Sequence, residues 1–224
     1  MMANFVITID GPAASGKSTV ARLLAERLGA SFLDTGAMYR AVTLAAIEAC
    51  VDMSDEEKLL SVLNNRKFQF TVREGRMAVC IDGVDVTERI RRQEVTANAR
   101  YVASAARLRE KLVEMQREFA AREKKIVTEG RDQGTVAFAD ANIKFYLIAD
   151  AAERAKRRQI ELRAKGSSEN LEQIQKAIEE RDKSDEDRAV GPLKPAEDAI
   201  VVDTTNLSIE EVVEKLFCFV EENA

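Results

Sequence analysis

Apolar positions along this chain fall into two alternating rhythms. Phe5-Val6-Ile7-Thr8-Ile9 is an almost unbroken run of apolar and β-branched residues, the pattern of a short strand covered on both faces. Val20, Leu23, Leu24 and Leu28 then recur at intervals of three and four, which predicts a helix. The pair of rhythms returns at once. Residues 31–34 read as a second strand, and Met38, Ala41, Val42, Ala45 and Ala46 stripe a helix expected from about Ala37 to Cys50, with Tyr39 and Arg40 in its first turns. Residues 55–63 read as a short amphipathic helix.

The period drops to two between residues 64 and 87. Runs at 67–72, 77–81 and 84–86, separated by Glu74-Gly75 and Asp82-Gly83, predict three short strands joined by tight turns. Such a meander inside an alternating chain is expected to be an insertion. Helix resumes over 89–122 in two segments, followed by strands at 125–129 and 143–148. A charged helix over 153–165 breaks at Gly166-Ser167-Ser168, a further helix is expected from Leu171 to Arg188, and residues 199–203 read as the last strand. Ile209, Val212, Val213, Leu216, Phe217 and Val220 stripe a final helix. Five buried strands alternating with helices predict an α/β fold with a five-stranded parallel sheet, and place a ligand at the strand carboxyl ends. The polar groups expected on that rim are residues 11–19, Asp34-Thr35-Gly36, Glu129-Gly130-Arg131-Asp132 and Asp203-Thr204-Thr205-Asn206.

Composition narrows the chemistry. With 224 residues, 46% of them hydrophobic, the chain can bury one full core, so a single domain over 1–224 with small appendages is expected. A formal charge of −5 offers no broad basic surface for nucleic acid. No run approaches the roughly 18 apolar residues of a membrane helix, the start of the chain lacks a leader pattern and no heptad stripe is evident; a cytoplasmic monomer is expected. Cys50, Cys80 and Cys218 are odd in number, far apart and in apolar sequence, which predicts buried free thiols rather than disulfides or a Cys-x-x-Cys site. Histidine is absent. That removes imidazole metal sites and His-activated nucleophiles, and leaves Lys, Arg, carboxylates and Mg²⁺. Phosphoryl transfer suits this inventory, because it asks for positioning and charge stabilisation more than covalent chemistry.

Gly11-Pro12-Ala13-Ala14-Ser15-Gly16-Lys17-Ser18-Thr19 satisfies G-x-x-x-x-G-K-[ST] between a predicted strand and a predicted helix. A loop there aims backbone N–H groups at a polyphosphate and sets it on a helix N-terminus, while Lys17 reaches the β/γ-phosphates and Ser18 can ligate Mg²⁺. Triphosphate binding follows; the acceptor does not. A second segment bears on it. Arg181, Asp185 and Arg188 are spaced i, i+4, i+7, so a helix would put two guanidiniums and a carboxylate on one face, suited either to solvated salt bridges or to a sugar phosphate.

Several stretches together resemble one family. Val6-Ile7-Thr8-Ile9-Asp10-Gly11-Pro12, Asp34-Thr35-Gly36-Ala37-Met38-Tyr39-Arg40, Ile90-Arg91-Arg92-Gln93-Glu94-Val95, Glu129-Gly130-Arg131-Asp132-Gln133-Gly134-Thr135-Val136 and Arg181-Asp182 through Arg188-Ala189-Val190-Gly191-Pro192-Leu193 are similar, in order, to the motifs of bacterial cytidylate kinases. The resemblance implies a nucleoside monophosphate kinase fold that moves the γ-phosphate of ATP to CMP or dCMP with Mg²⁺. It implies that Lys17 and the loop amides hold ATP, that Arg40, Arg131 and Arg188 hold the CMP phosphate, that Thr35, Arg109 and Asp132 face cytosine, and that Arg181 and Asp185 meet the sugar. Lys17, Arg131 and Arg188 would be catalytic, and Ser18 and Asp34 would serve the metal. Asp34 and Glu129 could each instead be a helix or turn cap. Residues 62–105 would form the monophosphate-binding insert and 153–190 a lid with its adjoining acceptor helix, with Arg154, Arg157 and Arg158 in the lid and Arg157 on ATP. Where the pattern has a small hydroxyl residue against the base, this chain has Arg100. Competing readings are a kinase for UMP, AMP or shikimate, or a nucleotide-hydrolysing switch, although no N-K-x-D motif is present.

Overall fold

The computed structural model describes residues 5–223 apart from 74, 165 and 167. In chain order, β1 (Phe5–Asp10), α1 (Lys17–Arg27), β2 (Ser31–Asp34), α2 (Thr35–Glu48) and α3 (Glu56–Asn65) precede a hairpin-rich stretch, β3 (Phe68–Arg73), β4 (Arg76–Ile81) and β5 (Val84–Asp85). A 3₁₀ turn (Arg89–Arg91), α4 (Gln93–Ser104) and α5 (Ala106–Ala120) lead back to β6 (Lys125–Glu129). A π-helical turn (Gln133–Ala137), β7 (Ile143–Ile148), α6 (Ala151–Ala164), α7 (Leu171–Glu186), β8 (Ile200–Asp203) and α8 (Ile209–Asn223) complete it.

The main sheet is five-stranded and parallel, ordered β2-β6-β1-β7-β8, and β3-β4-β5 form a separate antiparallel sheet. Register aligns the polar strand ends. Ile9 pairs with Glu129, Asp10 with Tyr146, and Asp34 with Glu129, so three carboxylates finish three adjacent strands at one rim. β2 and β6 feed both layers. Phe32 and Val127 join Ile7, Ile9, Phe145 and Val202 beneath α1 and α8, whereas Leu33 and Ile126 join α2, α3, α5 and the small sheet on the opposite side. Met77, Val79 and Ile81 of β4 belong to that second cluster, so the meander is packed on the same core as α2. The α6–α7 pair stands apart: Ala155, Ile174 and Ile178 cluster with Ala13 of the phosphate loop.

Several boundaries differ from the sequence-based expectation, each for a local reason. α2 starts at Thr35 rather than Ala37 because Asp34 is its N-cap, accepting from Ala37 N at 2.8 Å. The two helical segments expected over 89–122 are α4 and α5, divided where Ala105 adopts an extended backbone, but the first begins only at Gln93, after the 3₁₀ turn. α7 ends at Glu186, so Arg188 is not on the helix as its spacing predicted. The cysteines are not buried: Cys50 follows the end of α2 with φ +50°, Cys218 lies on the outer face of α8, and only Cys80 is half-covered. Around Cys80 the neighbours Val79 and Ile81 face inward while the thiol does not. Glu74 of the first predicted turn, and Lys165 and Ser167 at the predicted helix break, lie outside the described residues. Among those described, no helix is long and apolar enough to cross a membrane.

Gly11 is where the fold is least forgiving. Its φ is +146°, and an added Cβ would overlap the Leu147 carbonyl of β7. Gly83 also has positive φ, but nothing lies within 4 Å of its missing side chain. Gly11→Ala is therefore expected to cost about 2–4 kcal/mol and lower Tm by roughly 5–12 °C, against about 1 kcal/mol for Gly83→Ala. Thermal unfolding followed by circular dichroism compares the two; equal Tm losses would show that β7 yields.

Candidate active site

The loop after β1 is built to leave donors pointing outward. Gly16, at φ +87°, is the N-cap of α1 and supplies no side chain to it, so the first helical N–H groups and the positive end of the helix face the loop's mouth. Lys17 is only 5% exposed; its Nζ donates back to the Pro12 carbonyl and to Ser15 Oγ at 3.2 Å. Burial holds the Lys17 ammonium well below its ordinary pKa, and the nearby Arg131 cation adds to the effect. Ser18 Oγ donates to Glu129 Oε1 at 2.7 Å, bringing the loop against the end of β6.

Asp10, one residue before the loop, ties it to the turn after β6. Its two carboxylate oxygens accept from Gln133 N (2.9 Å) and Gly134 N (2.7 Å). Burial pushes the Asp10 carboxyl up to about 7, against the pull of those two hydrogen bonds. The turn so held presents Arg131 and Asp132 to the cleft. Thr35 Oγ1 donates to the Glu129 carbonyl at 2.7 Å, fastening the start of α2 beside the same turn.

Four arginines meet there. Arg131 Nε donates to Asp185 Oδ2 at 2.7 Å, and Arg188, beyond the end of α7, turns back so that its Nε reaches the Asp185 carbonyl at 3.2 Å. Burial alone would raise the Asp185 pKa, but Arg131, Arg188 and Arg181 together hold it below the usual carboxylate value. Arg181, exposed on α7, is lowered to about 10 by the protein atoms crowded around it and then by the Arg131 cation, and so stays charged at neutral pH. Arg40 Nη2 contacts Asp34 at 3.2 Å. Two buried guanidinium nitrogens, Arg40 Nε and Arg188 Nη2, have no hydrogen-bond partner among the described residues. The nearest carboxylate oxygen to Arg188 Nη2, Asp185 Oδ1, is 3.6 Å away.

Deeper in the cleft, Arg109 and Asp132 form a buried ion pair. Arg109 also donates to the Ala103 carbonyl at 3.2 Å and lies 5.4 Å from the Tyr39 ring centroid. Burial opposes its charge, yet Tyr39 and Asp132 more than offset this and hold Arg109 above its ordinary pKa. Gly191, at φ +60°, lies against this pair; a Cβ there would overlap both Asp132 Oδ2 and Arg109 Nη2.

The other expected site residues have different surroundings. Asp34 caps α2 and also meets Arg91 Nη2 at 3.4 Å, so its oxygens face cations and an amide. Arg157 donates to Thr204 Oγ1 (3.2 Å) and to the carbonyls of Thr204 and Thr205, which binds α6 to the loop after β8. Arg158 pairs with Glu161 at the surface. Arg154, in contrast to the lid surface expected for it, is buried and paired with Asp182. Arg100 is exposed, with its guanidinium 4.9 Å from the ring centroid of its neighbour Tyr101. Among the described residues no group of three His, Cys, Asp or Glu side chains could hold a metal by itself.

Two carboxylates here went unassigned from sequence. Asp10 is read most simply as the last residue of a strand, and only the tertiary pairing of β1 with β6 gives it two amides. Asp182 had a usable signal: Ile174, Ile178 and Asp182 recur every four residues on the buried stripe of α7, and a carboxylate in such a stripe needs a partner.

The comparisons agree with this geometry over nearly the whole chain. The family model for cytidylate kinase matches residues 7–222. A Bacillus cereus protein named cytidylate kinase is 47% identical over 214 residues, covering 96% of this chain and 95% of that one. One of the same name from Bacillus thuringiensis is 48% identical over 210 residues, covering 94% and 93%. Among solved structures, an uncharacterized protein from Eubacterium ventriosum shares the fold at a TM-score of 0.50 and 10% identity, over 98% of this chain and 99% of that one. With the family match running from the third residue of β1 to the last turn of α8, and relatives close to half identical over the same span, the chain belongs to the cytidylate kinase family.

Proposed function

We propose that this chain transfers the γ-phosphate of ATP to CMP or dCMP, yielding ADP and CDP or dCDP. The observation that carries the reading is the gathering of Arg40, Arg131, Arg181 and Arg188 beside Lys17, with buried N–H groups on Arg40 and Arg188 that no described residue satisfies. Buried, unpaired guanidinium donors suit phosphate oxygens, and their convergence on Lys17 joins an acceptor phosphate to the donor loop.

The α1 N-terminus and the amides of residues 14–18 hold the ATP phosphates, while Lys17 exchanges the Pro12 carbonyl for a phosphate oxygen. An oxygen of the acceptor phosphate attacks the γ-phosphorus, and the electron pair of the breaking bond leaves on the β-phosphate of ADP. A phosphate monoester is largely dianionic at pH 7, so its oxygen needs no general base, which fits a chain without histidine. Arg131 and Arg188 offset the charge shared between the two phosphates. The Ser18 hydroxyl and Glu129 carboxylate are hard oxygen ligands of the kind Mg²⁺ accepts beside substrate phosphates and water; bound there, Mg²⁺ would neutralise charge on the transferring group. Asp34, already occupied by Arg40 and the α2 amide, suits that role less well.

Base choice falls to Asp132 and Arg109. Cytosine offers a donor at N4 and an acceptor at N3, which match a carboxylate beside a guanidinium; uracil reverses both and would leave two buried groups opposed. Asp185 and Arg181 then lie where the sugar hydroxyls fall. Residues 62–105 would close over the acceptor and 153–190 over the donor, excluding water that would otherwise hydrolyse ATP.

An acceptor screen with ATP and Mg²⁺ tests the activity: ADP is expected to form rapidly with CMP or dCMP and slowly with UMP, AMP or shikimate. Release of ADP at the same rate without an acceptor would instead support a nucleotide-hydrolysing switch. Asp132→Asn keeps the shape but replaces one acceptor oxygen by a donor. It should cut the CMP-over-UMP ratio of kcat/KM by roughly 5- to 150-fold while the KM for ATP changes little. An unchanged ratio would move base selection elsewhere. Lys17→Ala should lower kcat with every acceptor by at least about 100-fold, as measured by coupled ADP release.

A further inference from the structure

The buried ion pair of Arg154 and Asp182 lies outside the cation cluster, yet it grips the donor loop. Asp182 Oδ1 accepts from Ala13 N at 2.8 Å. Arg154 Nη1, paired with the other Asp182 oxygen, donates to the Ala13 carbonyl at 3.0 Å, and Arg154 Nε donates to the Ala149 carbonyl at 3.0 Å. Both polar groups of residue 13 are therefore held by α6 and α7. Both side chains are less than a tenth exposed, and Ala13 itself packs with Ala155, Ile174 and Ile178 in a cluster separate from the two main cores. The residue that follows, Ala14, has φ +59°, so the backbone is turned sharply where the clamp ends.

Position in the helix gives the clamp its reach. Asp182 is next to Arg181 and three residues before Asp185, so the two carboxylates share one flank of α7, Asp182 on its buried part. A shift of α7 that brings Arg181 and Asp185 onto an acceptor must therefore also move the carboxylate that holds Ala13. We propose that Asp182 is a positioning residue that, with Arg154, couples occupation of the acceptor site to the conformation of the donor loop. The inference rests on residues 11–18 being the donor loop and α7 the acceptor helix. It predicts linkage: CMP tightens the loop for ATP, and by reciprocity ATP tightens α7 for CMP.

The experiment is calorimetric titration of a non-hydrolysable ATP analogue with and without saturating CMP. The unmodified protein is expected to bind the analogue at least about fivefold more tightly with CMP present. Asp182→Asn keeps an oxygen for Ala13 N but removes the charge that holds Arg154. The double variant Arg154→Met with Asp182→Asn also removes the buried cation that would otherwise be left unpaired, and so guards against failure to fold. In either folded variant the CMP effect should shrink to within about twofold, a change that a loss of stability alone would not produce. Retained linkage in a folded variant overturns the proposal. Should neither variant fold, hydrogen exchange on the unmodified protein decides: CMP alone is expected to slow exchange of the Ala13 amide at least about fivefold, and unchanged protection overturns the coupling. Failure of the underlying reading looks different, because the unmodified protein would then bind no CMP, whether or not it bound the ATP analogue.

Discussion

The structure depends on keeping cations close together in a cleft that offers them little water. Two unit charges about 5 Å apart repel by roughly 3 kcal/mol at an effective dielectric of 20, and this cleft gathers Lys17, Arg40, Arg131, Arg181 and Arg188. What makes the arrangement tolerable is that several of the cleft's cations are matched to an oxygen. Arg131 has Asp185, Arg40 has Asp34, Arg109 has Asp132, and Lys17 has the Pro12 carbonyl. Removing one partner of a buried pair typically costs about 3–5 kcal/mol, more than the mean contribution of a surface salt bridge by severalfold. These pairs therefore do more to fix the cleft's shape than the surface pairs do, although the surface pairs are more numerous.

Parallel topology supplies the matching. Because β2, β6 and β1 run side by side in the same direction, Asp34, Glu129 and Asp10 end together, and the loops that follow them must leave from one rim. Asp10 then ties the turn after β6, Ser18 meets Glu129, and Asp34 starts α2 while steadying Arg40. One alignment of strand ends thus sets the donor loop, the turn carrying Arg131 and Asp132, and the helix carrying Arg40. α7, unlike these, does not follow a strand. It reaches the rim through Asp182, Asp185 and the small apolar cluster around Ala13, which is why its attachment differs in kind from the rest.

The fold was legible because its signals are local. Uninterrupted apolar runs gave the buried strands, and period two between residues 64 and 87 gave the meander, since both report burial along a single element. The phosphate loop was legible because backbone chemistry demands its glycines: no Cβ fits between Gly11 and the Leu147 carbonyl. Partnership was less so. Nothing within residues 171–188 says that Asp185 meets Arg131 or that Asp182 meets Arg154, because those partners lie 54 and 28 residues away and arrive only when β6, β7 and α6 are in place. The i, i+4, i+7 spacing also assumed that the helix ran through Arg188. It ends two residues earlier, and Arg188 instead folds back over the helix end to donate to the Asp185 backbone carbonyl. For Cys80, apolar neighbours misled because they describe the opposite face of the same segment.

A cleft of mutually balanced pairs has a consequence for how substrate enters it. Each carboxylate that offsets an arginine also competes with an incoming phosphate for that arginine, so the pairs cannot all be ideal. The geometry reflects this compromise. Arg131 makes a short 2.7 Å bond to Asp185, whereas Arg188 Nη2 stops 3.6 Å from the same carboxylate and Arg40 Nε has no described partner. Such under-satisfied donors raise the free energy of the empty cleft, by about 1–3 kcal/mol for each buried group left unpaired. An anion that meets them recovers that cost on binding. The same shortfall that weakens the fold at this point suits it, on the function proposed above, to a phosphate, and leaves the paired Arg154 and Asp182 to the positioning role proposed for them.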